Sequence, residues 1–458
     1  MYCIKNIFRK EHRGYYYLDI PYNKRMKWKN EYNKKLVKVE KIGIMIGEKD
    51  VCVSPAMCGE PKDIMKSVAN HLKKNDIRGV EHHSLLTFHN HDLLKPEMKN
   101  NIKHVSWFTS GYSRNAVREG RADYMPSFYK NVPKIWDQQL NVDVFYALVS
   151  PMDEHGYFSF GLACSESLVL KNKASKIFLE VNSNMPRTHG QNVIHISEVD
   201  LICESNYEIP VLDSPLLSDL DTRIGKIIAD EIPNGSTIQL GIGGIPNAVG
   251  KALMHKKNLG IHSEMFVDAF VDLIESGAVT NTSKEINNSK SITTFAGGSK
   301  RLYNFLNDNP SIEFKPVDYV NDPQIIAKHK SFMSINSCIE VDLLGQVCSE
   351  SMGQKHYSGT GGQVDFVRGA NLSNGGKSFI AMNSTTKKGT MSKIKPVLTN
   401  GSVVTTSKNE VDYIVTENGI VKLKGKTASQ RAKSLIRIAH YDFRDKLTYE
   451  ARKMNIIV

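Results

Sequence analysis

Several features are missing from this 458-residue chain, and each absence removes a class of function. No apolar run approaches the length that spans a bilayer, so a helical membrane protein is not expected. The opening stretch MYCIKNIFRKEHRGYYYLD has neither an uninterrupted apolar segment nor a small-residue cleavage site, so no secretory signal is read there. The seven cysteines, at 3, 52, 58, 164, 203, 338 and 348, form no C-x-x-C pair and are odd in number. That argues against a disulfide framework and against a zinc site, and fits a reduced cytoplasm. Zinc-finger spacing, RNP motifs and a heptad-linked basic region are all lacking, so nucleic acid is not an expected partner. The chain also holds no G-x-S-x-G elbow, no H-E-x-x-H helix and no Ser-His-Asp pattern.

What remains is a chain of ordinary globular composition, 40% hydrophobic and 24% charged, and long enough for two or three domains. Its formal charge is +12, and residues 1 to 40 hold eleven Lys or Arg against four Asp or Glu. This basic segment reads either as a solvated face or as an attractor of a polyanion such as a nucleotide cofactor.

Short β-branched or apolar runs alternate with helical patterns along the chain. DVCVSPAMC (50–58), DVFYALVSPMD (143–153), KIFLEVN (176–182), STIQLGIG (236–243), FMSINSCIEVDL (332–343) and SFIAM (378–382) read as strands. PKDIMKSVANHLKK (61–74), LSDLDTRIGKIIADEI (217–232) and PNAVGKALMHK (246–256) read as helices. Such alternation predicts an α/β protein with mainly parallel sheets. One grammar occurs twice. At an offset of 185 residues Gly59 meets Gly244 and Pro61 meets Pro246, and each strand turns through Gly-x-Pro into a helix. The proline suits the first helical position, where its missing N–H costs nothing. We therefore expect two related α/β/α domains, 27–213 and 214–458, behind a basic leader at 1–26.

The second of these turns, QLGIGGIPNAV (239–249), is not the dinucleotide fingerprint, because Pro246 stands where the last glycine belongs. Gly241, Gly243 and Gly244 nevertheless lack a Cβ, so a ligand can approach the main chain closely. A helix beginning at Pro246 aims its unpaired N–H groups and positive dipole end at the same spot. The turn can hold a phosphate or cradle a carbonyl oxygen that becomes negative; it can equally be a tight turn with no ligand.

A lone acid, Glu264, follows in LGIHSEMF (259–266). Acids usually sit in solvent. Ile261, Met265 and Phe266 are apolar, so this segment is expected to enter a core, where an acid must be paired or used. His262 and Ser263 can donate hydrogen bonds to it. A carboxylate can also act as a nucleophile toward an activated acyl group.

These stretches, with VDAFVDLIESGAVTN (267–281), NDPQIIAKHKSFMSINSCIEVDLLGQVCSESMG (321–353), YSGTGGQVDFVRGANLSNGGKSFIAM (357–382), FTSGYSRNAVREGRADYMP (108–126) and VSPMDEHGYFSFG (149–161), resemble the acetyl-CoA hydrolase / 4-hydroxybutyrate CoA-transferase family of class I CoA-transferases. The resemblance covers nearly the whole chain after about residue 35. It implies the two-domain CoA-transferase fold, with the active site between the halves. It implies Glu264 as the nucleophile and Gly241, Ile242, Gly243, Gly244 and Ile245 around CoA and the reacting oxygen. Gly362, with Gln363 beside it, belongs to the segment that closes over CoA; Ile339 and Lys387 are further implied CoA contacts. Coenzyme A is then a substrate, with no permanently bound cofactor and no metal, and the partners are acyl-CoA and short carboxylic acids. A cytoplasmic homo-oligomer, dimer or tetramer, is implied as well. Glu417, in TENG (416–419), is a rival nucleophile by its likeness to the S-E-N-G motif of other class I members. Hydrolysis of acetyl-CoA by the same glutamate, or CoA binding by a dead site, are the alternatives to transfer.

Overall fold

The computed structural model describes residues 22–386 and 388–457. Residues 1–21 and Lys387 lie outside the described residues, so the expected leader and the Lys387 contact are not placed. Helix α1 (Tyr22–Lys35) is continuous through the expected leader boundary at 26. It is tied down by Lys35, whose Nζ donates to the carbonyls of Ile196 and Val199 at 2.8 and 2.6 Å. Tyr32 adds a bond to Glu204 at 2.6 Å.

The first sheet has seven strands, all parallel: β1 (Val51–Ser54), β2 (Val80–Ser84), β3 (Ile102–Ser106), β4 (Ala122–Tyr124), β5 (Val144–Val149), β6 (Lys176–Asn182) and β7 (Leu201–Ser205). Their order is β7-β6-β5-β1-β2-β3-β4. Every residue of β5, VFYALV, is buried, as expected of a strand covered on both faces.

The second sheet comprises β8 (Thr237–Leu240), β9 (Gly260–Ile261), β10 (Phe332–Ser337), β11 (Lys377–Ala381), β12 (Tyr413–Thr416) and β13 (Gly419–Lys422), in the order β9-β8-β10-β11-β12-β13. Only the β12–β13 pair is antiparallel, a hairpin at the edge.

The repeated grammar has a topological counterpart. β1 turns into α2 (Lys62–Lys74) and returns as its neighbour β2; after α3 (Asp219–Asp230), β8 turns into α4 (Gly244–Ala252) and returns as its neighbour β9. Later strands then add on the opposite side, β5, β6 and β7 in one half, β10, β11 and β12 in the other. Each half thus has a switch point where strand order reverses, the place where open α/β sheets commonly bind ligands at the carboxyl ends.

The expected helix start is corrected. α4 begins at Gly244, two residues before Pro246, because Gly243 takes φ +113 and turns the chain at once. Pro246 is then the third helical residue, where its missing N–H is still among the unpaired ones. Pro61 stands just before α2 rather than inside it.

The halves are joined through their interiors. One apolar core runs from Val53 and Phe145 in the first sheet to Ile238, Phe379 and Val415 in the second. His189–Gly190 also pairs with Ile312–Phe314, so a strand of the first half completes a small sheet of the second. Between them residues 206–218 form a connector without helix or strand, in which Ile209 is buried in the core and Leu216 is almost fully in solvent. Among the described residues no helix is long and apolar enough to cross a membrane.

Candidate active site

Glu264 lies between two short strands, Gly260–Ile261 and Met265–Phe266, and its main chain is clamped on both sides. The His262 and Ser263 amides donate to the carbonyls of Ile238 and Ile292. The Glu264 carbonyl accepts from the amides of Thr294 and Phe295 at 3.0 and 3.2 Å and from the Thr293 hydroxyl at 3.0 Å. The apolar neighbours Ile261, Met265 and Phe266 are buried, as expected, and fix this clamp in the core.

The expected donors to the carboxylate are corrected. His262 Nε2 bonds the Val320 carbonyl at 2.7 Å, and Ser263 Oγ donates to the Leu240 carbonyl at 3.3 Å. Ser263 points away from its neighbour because consecutive side chains of an extended chain face opposite sides. The carboxylate is held instead by Asn321, whose Nδ2 donates to Oε2 at 2.7 Å. The Gly362 amide also favours its ionised form. Burial outweighs both, and Asp365 adds a like charge nearby, so the Glu264 carboxyl is pushed up to about 7.

Gly362 is the N-terminal cap of α5 (Gln363–Leu372). A Cβ there would lie 1.9 Å from Glu264 Oε2 and 2.4 Å from Asn321 Nδ2. The glycine therefore serves a close approach of the helix end to the acid. The preceding segment is strapped to the other half of the molecule. Thr109 Oγ1 donates to the Ser358 carbonyl at 3.1 Å, and Arg114 Nε donates to the Tyr357 carbonyl at 2.7 Å. The Arg114 guanidinium also stacks 3.8 Å from the Tyr357 ring centre. The stretch FTSGYSRNAVREG in the first half thus places a glycine against an acid in the second.

The glycine turn adjoins the segment that carries Glu264. Ser263 bonds the last residue of β8, and the turn follows directly at Gly241. Gly241 N–H is engaged by the Ile335 carbonyl at 3.0 Å, so this amide is not free for a ligand. Among the described residues the amides of Ile242, Gly243 and Gly244 have no acceptor. Ile242 is exposed, and Ile245 is buried under the turn. Ile339 follows the carboxyl end of β10, the strand beside β8, and is thus on the same edge. Gly243→Val is expected to lower CoA transfer at least about a hundredfold, the scale of one lost oxyanion donor. Its φ of +113 strains any L side chain, although a Cβ there meets nothing within 4 Å. Near-normal steady-state rates in a folded variant would limit the turn to shaping the backbone.

Glu417 is occupied differently. Its Oε2 accepts from the Ser384 amide at 2.8 Å and its Oε1 from the Ser384 hydroxyl. It acts there as a cap for the 384 loop. Asn321, Asp365 and Tyr129 were not singled out by sequence reasoning. Asn321 precedes Asp-Pro in NDPQ, which reads as the start of a short helix and gives no hint of the acid it holds.

Two strained non-glycine residues stand at the junction of the halves, Met57 at φ +52 and Ser165 at φ +37. A Cβ at Gly297 would lie 2.8 Å from the Cε of both Met57 and Met265, so Met57 of one half and Met265, the residue after Glu264, converge on Gly297. Ser165 Oγ is 2.6 Å from Tyr129 Oη. Strain of this kind is held only where surrounding structure over-determines it, and functional sites are where it gathers.

Residues 20–213 match the model of the acetyl-CoA hydrolase/transferase N-terminal domain, and residues 298–451 match that of its C-terminal domain. Succinyl-CoA:cyclohexane-1-carboxylate CoA transferase of Geobacter metallireducens is 47% identical over 95% of this chain and 99% of its own. The 4-hydroxybutyrate coenzyme A transferase of Clostridium kluyveri is 45% identical over 93% of this chain and 100% of its own. The crystal structure of RipA from Yersinia pestis superposes with a TM-score of 0.89 at 38% identity, covering 94% of this chain and 100% of that one. On both matched domains and on relatives aligned over almost their whole length, the chain belongs to the acetyl-CoA hydrolase/transferase family.

Proposed function

We propose that the protein moves CoA between a short-chain acyl-CoA and a free carboxylate in a ping-pong reaction through Glu264. The observation that carries this reading is the placement of Glu264. A half-buried carboxyl is held by Asn321 and by the end of α5, and its segment adjoins a glycine turn whose amides lack acceptors among the described residues. The names of relatives that act on 4-hydroxybutyrate and on butyryl-CoA with acetate support the short-chain class.

In this reading a Glu264 carboxylate oxygen attacks the thioester carbonyl of the acyl-CoA, and the amides of Gly243 and Gly244 stabilise the oxyanion. Each such donor contributes roughly 3 kcal/mol. CoA leaves as the thiolate, giving a mixed anhydride of Glu264 and the acyl group. The thiolate then attacks the glutamyl carbonyl, releasing the first carboxylate and leaving a glutamyl-CoA thioester. An incoming carboxylate reverses the sequence and departs as its CoA ester. Bonds and charge balance without an outside reagent. CoA is a substrate, and its remote parts provide binding energy that holds the strained intermediate.

Hydrolysis is the second reading, because the same nucleophile serves it and the family name includes it. Incubation with acetyl-CoA, with and without butyrate, separates the two. Butyryl-CoA formed only with butyrate, and no free CoA without it, is the expected result. Free CoA accumulating at an equal rate without an acceptor would establish a hydrolase.

A further inference from the structure

Asp365 is fully buried one turn into α5, and its surroundings differ from those of an ordinary helix-start acid. An acid at the third helical position commonly reaches back to cap its own helix. Asp365 does not. Its Oδ2 accepts from the Lys130 amide of the first half at 3.1 Å, and its Oδ1 has no hydrogen-bond partner. The helix end it leaves open is the one that Glu264 approaches.

Asn321 stands between the two acids. Its Nδ2 donates to Glu264 Oε2, and the same amide also acts on Asp365. Its Oδ1 is buried and has no partner. Two acceptor oxygens, Asp365 Oδ1 and Asn321 Oδ1, are thus both buried without a donor. A proton on Asp365 removes the first orphan and can be offered to the second. Buried polar atoms are rarely left unpaired, and a second buried negative charge beside Glu264 would be costly.

We propose that Asp365 is a positioning residue that carries the proton of this carboxyl pair, orienting the Asn321 amide and leaving Glu264 as the ionised nucleophile. The proposal rests on the reading of Glu264 given above. Burial pushes the Asp365 carboxyl up to about 7, against the opposing influence of Lys130, the Asn321 amide and Arg368, and Glu264 stands at the same level. Tyr129 stands near Glu264, and burial, Glu166 and Glu264 keep it neutral. Glu166 behind it is itself pushed up by burial to about 8. Two interacting acids lose their protons in two steps that belong to the pair. The reactive form is the singly protonated one, so activity rises with the first loss and falls with the second.

The test is the pH profile of kcat/KM for acyl-CoA. The wild-type enzyme is expected to give a bell, both limbs in the neutral range. Asp365→Asn, which keeps the shape and offers an N–H in place of the acid O–H, should lose the alkaline limb. Its acid limb should move down by at least about half a pH unit as the like charge disappears. Asp365→Ala should lose at least about tenfold in kcat, because nothing then orients Asn321. A wild-type profile without an alkaline limb overturns the proposal, and that measurement needs no variant. So does an alkaline limb that persists in Asp365→Asn. Borohydride trapping of the glutamyl thioester is run in parallel. Wild type labelled at Glu264 with an unchanged Asp365→Asn profile removes only the role of Asp365. Wild type not labelled at Glu264 removes both readings.

Discussion

Glu264→Gln is expected to lose CoA transfer by about 10⁴-fold or more, the scale of removing a covalent nucleophile. The amide keeps the volume of the side chain and can still accept the bond from Asn321 Nδ2. It cannot attack a thioester and form the anhydride. Wild-type protein incubated with acyl-CoA and then borohydride should be reduced at Glu264 and inactivated, whereas the variant should not be labelled. Peptide mapping that found the label at Glu417 would move the nucleophile there.

The same variant should not lose stability, and the sign follows from the raised carboxyl. Folding penalises the ionised form of Glu264, which burial pushes from an ordinary 4.5 up to about 7. The penalty is absent below the unfolded value, grows as pH rises between the two, and is complete above about 7. Gln carries no such penalty. The variant should therefore melt above wild type at pH 8, and the difference should close as pH falls toward 4.5. A variant less stable than wild type at pH 8 would show that the charge is already satisfied by its partners.

Gly362→Ala should lower kcat/KM at least about a hundredfold, the cost of displacing a reacting group by about 1 Å. The backbone at Gly362 has φ −93, which alanine adopts freely, so the effect is steric and local. The added Cβ would fall 1.9 Å from Glu264 Oε2 and 2.4 Å from Asn321 Nδ2, closer than atoms can approach without bonding. Either the carboxylate or the start of α5 must move. Steady-state rates with acetyl-CoA and butyrate, alongside thermal melting, check this. Near-normal rates with unchanged melting would mean that Glu264 reacts from a different pose than the one held here.

Much of this was legible locally because the chemistry is written in short stretches. The alternation of apolar runs gave the α/β class, since strand and helix periods are local properties. The two Gly-x-Pro turns pointed to the repeat, although Pro61 stands just before its helix and Pro246 inside its own. Glu264 and the turn from Gly241 to Ile245 stood out as candidates because each is a short local motif. Strands such as VEHHS (80–84) and IKHVS (102–106) were not read, because their histidines and charges hide the apolar pattern. Their burial comes from the sheets and helices stacked on them.

The sequence by itself determined the class of fold and singled out the acid and the glycine turn as candidates, because each needs only neighbours along the chain. The tertiary structure alone decided which groups act on that acid. Asn321, Gly362 and Asp365 reach Glu264 from elements far away in sequence, and the strap by Thr109 and Arg114 that places Gly362 comes from the other half. His262 and Ser263, adjacent in the chain, turn elsewhere. The ionisation of a buried carboxyl is set by what surrounds it in three dimensions, desolvation first and charges second, and neither is a property of neighbouring letters.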